Sequence, residues 1–394
     1  MPLADPSGVG TRIAVARKSR RLKQSDLADL ANISLDTVKA VEQSRRNPSE
    51  SVLDAIADAL NVDPSRLLGT SERSDSRVHL AIPALRATVD AYDLPDDGPV
   101  RDLRSLQDSV TELEAWRLAA RYTQLARGLP DRLAELTRAL DVCTGPDHLA
   151  VSRLLVSAYR SADAVAYKHG YLDLSARLIE LMRWAATNSE DPVLDAVTSY
   201  VRMEIFFASR VEANLVTGLR MLETSIDRAP APDDCPAQAA IGALHMRAAV
   251  VAGRMKDKAS AHMHLAQARP LADGLREGVY AGTAFGPASF RVHEVAVAVE
   301  LGDGPTALAA AREWKPPTDL PAERRSHYYI DVARAQLWQN RSADAFESLK
   351  VARRIAPQHC HEHPQVRDVL RSLVRSQRSN QKALLGYAEW AGAV

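Results

Sequence analysis

The chain of 394 residues contains three cysteines, no net charge and no long apolar run, and each shortage removes a class of protein. Cys143, Cys235 and Cys360 are too few and too scattered for a disulfide framework and fit a reducing compartment. A bilayer-spanning helix needs about 20 consecutive apolar residues, so no membrane partner is expected. The first residues lack a signal-peptide core, and the expected localisation is cytoplasmic. A formal charge of +0 gives no whole-chain argument for a nucleic-acid partner. There is no Walker loop, dinucleotide fingerprint, GxSxG elbow or HExxH. No enzyme activity, catalytic residue or cofactor is therefore expected.

What is present is an ordinary globular composition, 46% hydrophobic and 25% charged, in a chain long enough for two or three domains. The charge is unevenly distributed. Between Arg12 and Arg46 stand nine basic residues (Arg12, Arg17, Lys18, Arg20, Arg21, Lys23, Lys39, Arg45, Arg46) against four acidic ones (Asp26, Asp29, Asp36, Glu42), a local balance of +5. A duplex backbone needs such a footprint, because released counterions supply the sequence-independent part of the affinity.

Within this region the stretch from Gln24 to Glu42 reads as two short helices joined by a tight turn. Leu27, Ala28 and Leu30 share one face, and Leu35, Val38 and Val41 recur at three-residue steps. Ser34 is placed as the N-cap of the second helix, with Thr37 three residues on.

These residues carry a resemblance. Arg17, Leu22, Gln24, Leu27, Ala28, Ile33, Ser34, Val38, Glu42, the run Arg45-Arg46-Asn47-Pro48, and the Leu53, Ile56, Ala57, Leu60, Val62, Leu67 pattern make the segment 8–69 similar to the Cro/CI-type (XRE) helix-turn-helix domain. The resemblance implies five helices, double-stranded DNA as partner, and an Arg17 to Glu42 ion pair tying the first helix to the recognition helix. It also implies that Gln24 bonds a phosphate, that Gln43, Arg45 and Arg46 clamp the backbone, and that Ser34 with Leu35, Asp36, Thr37, Lys39 and Ala40 lies at the major groove. By its chemistry Lys39 suits guanine acceptors, Asp36 a cytosine amino group, and Leu35 or Ala40 a thymine methyl. Asp36 equally suits the positive end of the helix dipole. Ser44 departs from the pattern, since a glycine is common there.

Residues 70–77 are polar and aperiodic and read as a linker. From 78 to 394 amphipathic helices follow one another without a convincing strand. A motif of small, large, small and proline positions is clearest at Ala345, Leu349, Ala352 and Pro357, and at Gly218, Leu222, Ser225 and Pro230. Weaker copies start at Ser175, Ala261 and Ala307. The spacing resembles tetratricopeptide repeats with lengthened turns. The expected fold is therefore all-α, a helix-turn-helix domain followed by an α-solenoid. With the run Thr283 to Asp303, this domain order is similar to a family of actinobacterial transcriptional regulators.

Carrying the inward positions of such repeats onto this chain selects Arg160, Tyr167, Tyr200, Met203, Phe207, Arg210, Met246, Ser289, His327 and Arg334 as lining a groove for a small-molecule or peptide effector. Packing against a neighbouring helix or subunit is the competing reading of the same positions. The cluster His359, Cys360, His361 and His363 has zinc-ligand chemistry, but four nearly adjacent residues lack the usual paired spacing, so no metal is expected. The expected function is a homodimeric, sequence-specific regulator. The alternatives are a repeat scaffold that brings a protein partner to DNA and an antitoxin-like repressor.

Overall fold

Ser34 accepts a hydrogen bond from the Thr37 amide at 3.1 Å and so opens the helix from Leu35 to Glu42. This helix, α3, follows α1 (Val9–Ser19) and α2 (Gln24–Leu30) and precedes α4 (Glu50–Ala59). A computed structural model describes residues 8–20, 22–31, 33–46, 48, 50–60, 67, 75–208, 211–376 and 382–394. The chain divides into two units, Met1–Ser76 and Arg77–Val394.

In the first unit Ile13 of α1, Leu27 and Ala28 of α2, Val38 and Val41 of α3, and Leu53, Ile56 and Ala57 of α4 form one core with Leu60 and Leu67. Each full burial of such a side chain stabilises by about 1.5–3 kcal/mol, which is how helices of 7 to 11 residues, too short to persist alone, hold together. The expected fifth helix falls on residues outside those described, Leu67 excepted. So do the N-terminal arm 1–7 and most of the linker 70–77.

The second unit is a succession of helices: α5 (Asp75–Asp90), α6 (Leu103–Leu118), α7 (Tyr122–Val142), α8 (Gly145–Lys168), α9 (Leu172–Ser189), α10 (Pro192–Ala208), α11 (Glu212–Arg228), α12 (Cys235–Arg254) and α13 (Lys258–Asp273). After a hairpin come α14 (Pro287–Leu301), α15 (Gly304–Ala311), α16 (Ala322–Trp338), α17 (Ser342–Ile355), α18 (Pro357–Glu362), α19 (Pro364–Ser376) and α20 (Lys382–Trp390). From α8 to α17 consecutive helices pack in pairs. All five motif starts, Ser175, Gly218, Ala261, Ala307 and Ala345, stand on the second helix of a pair. Small residues there let the partners approach. A Cβ on Gly218 would come within 2.6 Å of Met203 Cε.

The strand-free reading needs one correction. β1 (Gly278–Tyr280) and β2 (Thr283–Phe285) form an antiparallel hairpin with Tyr280 opposite Thr283. Its turn residues Ala281 and Gly282 have φ of 43° and 74°, the two positive values of a type I′ turn, which matches the right-handed twist of the strands. Three-residue strands around Ala-Gly leave little pattern to read in sequence. Past the hairpin, Gly286 at φ 143° turns the chain into Pro287 at the start of α14. The Glu277 carboxylate accepts from the Ala288 and Ser289 amides at 2.8 and 2.9 Å, supplying that helix terminus with a cap from ten residues away in sequence or more.

Candidate functional site

Two features offer themselves, the outer face of α3 in the first unit and a cavity in the second. On α3, Val38 and Val41 point into the core, while Leu35, Asp36 and Lys39 are exposed and Thr37 and Ala40 half-buried. Ser34 is exposed beside them, its hydroxyl 2.8 Å from that of Thr37. Asp36 and Lys39 approach only to 3.9 Å and both are solvated, so their pairing is worth little and leaves each available to a partner. Gln43, Arg45 and Arg46, just beyond the helix, are exposed.

The orientation of α3 is fixed from behind. Arg17 of α1 grips Glu42 with Nε to Oε1 at 2.6 Å and Nη2 to Oε2 at 2.8 Å, and its Nη1 donates to the Leu22 carbonyl at 2.7 Å. Gln24, which the resemblance assigns to a phosphate, directs its amide at Glu42 Oε2, 2.7 Å away, instead. Two helices thus converge on one carboxylate at the end of the third. Burial favours protonated Glu42, but the hydrogen bonds from Arg17 and Gln24 outweigh it and hold the acid below the ordinary carboxylate range.

In the second unit a cavity of about 600 Å³ is enclosed by α8, α10, α12, α14 and α16 together with α18 and α19. A second of about 190 Å³ shares Lys168, Glu204, Arg247, Arg324 and His327 with it. Its wall includes the hairpin turn: Arg117 and Arg160 donate to the carbonyls of Gly282 and Ala281 at 2.8 and 2.9 Å. Burial among cations, Arg117 first, brings Arg160 down to about 9. Burial alone would raise the Tyr200 phenol, yet Arg247, Arg324 and Arg160 draw it down to about 8. Arg324 Nη2 donates to its oxygen at 3.2 Å, and the Arg247 guanidinium stands 3.9 Å from its ring centre. Lys168 and Glu323 pair at 2.7 Å.

Of the ten groove positions read from sequence, Arg160, Tyr167, Tyr200, Phe207 and His327 line these cavities. Met203 and Met246 are fully buried in the helix core. The reason is rotational: Tyr200 and Phe207, seven apart on α10, face the cavity, whereas Met203 faces α11 at Gly218. Ser289 is buried and donates to Glu277 at 2.7 Å. Arg334 is taken up by Glu300 and Asp331 at 3.0 and 3.1 Å. Arg210 lies outside the described residues. Sequence reading missed Lys168, Glu204, Arg247, Glu323 and Arg324, since isolated charges on helices ordinarily signal a solvated face.

Known proteins bear mainly on the first unit. The helix-turn-helix family matches residues 13–67. This segment is a helix-turn-helix domain. An immunity repressor protein of Bacillus phage phi105 is 44% identical over 61 residues, 16% of this chain, and the match spans 42% of the repressor's own length. Across more of the chain, two solved structures are similar at 13% identity. Bacillus thuringiensis PlcR, in complex with the peptide PapR7 and DNA, covers 68% of this chain and 95% of its own at a TM-score of 0.30. Apo ComR from S. thermophilus covers 89% and 99% at 0.19.

Two positions in the helix-turn-helix domain carry backbone constraints. Gly10 passes so close to the end of α3 that a Cβ there would overlap the Val41 carbonyl. Ser44 has φ 55°, with the Arg45 amide on the Ala40 carbonyl at 2.9 Å and the Ser44 amide on that of Val41 at 3.0 Å. This is a Schellman closure with a serine where glycine is unstrained. Ser44→Gly is expected to stabilise the domain by about 1 kcal/mol, read in the full chain as roughly five-fold slower amide exchange across α1 to α4. Unchanged or faster exchange would show that the serine is not strained.

Proposed function

We propose that the chain is a sequence-specific DNA-binding transcriptional regulator that acts as a homodimer, reads the major groove with α3, and takes an effector in the cavity of its repeat domain. The observation that supports this most is the exposed Leu35, Asp36 and Lys39 on a helix held from behind by Arg17, Gln24 and Glu42, inside a helix-turn-helix domain. Arg45 and Arg46 stand at its end as phosphate contacts. One such head touches few base pairs, so two copies on half-sites about 34 Å apart are the natural route to specific affinity. For the effector, the arginines gathered on Tyr200 favour a ligand with an anionic group. Such a ligand regulates only by preferring one arrangement of the heads over another.

Selection of bound duplexes from a random pool is expected to enrich an inverted repeat. Arg45→Ala should weaken binding to selected and scrambled duplexes alike and lower the salt slope by about 1. Lys39→Ala should instead change the sequence ranking, with about 1–3 kcal/mol lost at the position it reads. Fluorescence anisotropy over a salt series separates the two roles, and a shared loss of preference would overturn the division. If no sequence is enriched with or without cell extract, the scaffold reading takes over.

A further inference from the structure

The motif His359-Cys360-His361-Glu362-His363 looked unfit for a metal because its ligands seemed too close together. In the folded chain His359 on α18 and His363 at its end stand one helical turn apart, and His327 comes to them from α16. Ring centres lie 5.0 Å (His359 to His363), 5.1 Å (His327 to His363) and 6.0 Å (His327 to His359) apart. One nitrogen from each ring falls within 4.8 Å of the other two.

The outer contacts of the rings point their lone pairs inward. His359 Nδ1 is 3.0 Å from the Ser326 hydroxyl, and its Nε2 is buried with no hydrogen-bond partner. His327 Nε2 lies 3.5 Å from Asp331 Oδ2, while Asp331 Oδ1 is held by Arg334. That leaves His327 Nδ1 facing His363 Nε2 at 3.2 Å. Zinc–nitrogen bonds of about 2.0–2.1 Å in a tetrahedron set ligand nitrogens about 3.4 Å apart, so this pair already has the spacing. Burial keeps all three rings neutral, well below the ordinary imidazole value, the form in which histidine ligates. The nearby Lys168 is offset by Glu323 at 2.7 Å.

We propose that His327, His359 and His363 bind a divalent transition-metal ion of the zinc class, with Asp331 and Ser326 orienting two of the rings. A carboxylate behind a ligating imidazole is the usual supporting contact of such sites. All three rings line the 600 Å³ cavity, which gives the ion an entry path and leaves a fourth ligand position to water or to a cavity ligand. The site stands apart from the regulator reading, because none of its residues is in the helix-turn-helix domain.

The test uses the full chain, dialysed against a chelator and titrated with Zn²⁺ alone by calorimetry, then with Co²⁺ by visible absorption. One ion per chain is expected, with the intense bands of four-coordinate Co²⁺ that Zn²⁺ abolishes. His327→Asn and His363→Asn should each lower affinity at least about 100-fold, and Asp331→Asn about 10–100-fold. His262→Asn, at an exposed histidine on α13, should change nothing. Far-UV circular dichroism checks that each variant folds. The Co²⁺ spectrum of the unaltered chain reports imidazole coordination even where a variant does not fold. The proposal is overturned if the unaltered chain takes up neither ion, or if uptake survives both histidine substitutions.

Discussion

Arg17→Ala is expected to destabilise the helix-turn-helix domain by about 3–5 kcal/mol, because it strands the Glu42 carboxylate in a buried site without its bidentate partner. Domains have only about 5–15 kcal/mol to lose, so specific DNA binding should fall away with the fold of the domain. The Glu42 acid is held below its ordinary value. Its stabilising contribution is therefore fully present above the unfolded value near 4.5 and is lost as pH falls through the lower folded one. Arg17→Lys keeps the charge but not the fork and should recover part of the loss. Amide exchange of α1 to α4 in the full chain measures all of this. Native exchange rates in Arg17→Ala at neutral pH would show that the pair does not anchor α3.

Gly242→Ala should have the next largest effect. A Cβ on Gly242 of α12 would stand well inside contact distance of the Phe285 ring. That ring is fully buried in the main core of the repeat unit, with no solvent side to move towards. Overpacking of this kind costs about 1–3 kcal/mol, at times more. The strain falls on the hairpin, whose turn carbonyls hold Arg117 and Arg160. Peptides covering 277–287 should exchange and be cleaved faster, while those of α16 and α17 stay protected. If the hairpin were unaffected and α12 melted instead, the ring rather than the helix would be the fixed partner.

The first unit was legible because local signals agree there: Ser34 at the cap, apolar residues at helical steps, and arginines around the outer face. The contact of Gln24 with Glu42 was not, since a glutamine at a helix start suits a phosphate as well as a neighbouring carboxylate. The second unit gave up its pairing through Ser175, Gly218, Ala261, Ala307 and Ala345, whose small size is a direct consequence of helices crossing closely. Its cavity was half legible. Helical periodicity places Tyr200 and Phe207 on one side, but a few tens of degrees of rotation separate them from Met203, and that is beyond what a repeat register resolves. The three histidines illustrate the deeper limit. Four residues of spacing suggested a loop, and only tertiary structure brings His327 across 32 positions to His359.

Contacts between distant helices alter what the repeat unit does when it unfolds. Tyr122 at the start of α7 donates to Glu323 of α16 at 3.1 Å, and the Thr123 amide bonds Gln358 of α18 at 3.2 Å, spanning 201 and 235 residues of sequence. An open array of helix pairs, coupled only to nearest neighbours, frays from its ends one repeat at a time. Here the early and late helices are fastened to one another, so neither end can peel away without breaking contacts belonging to the other. The array is thereby turned from a zipper into a clasp, and its loss of structure is that of one cooperative body.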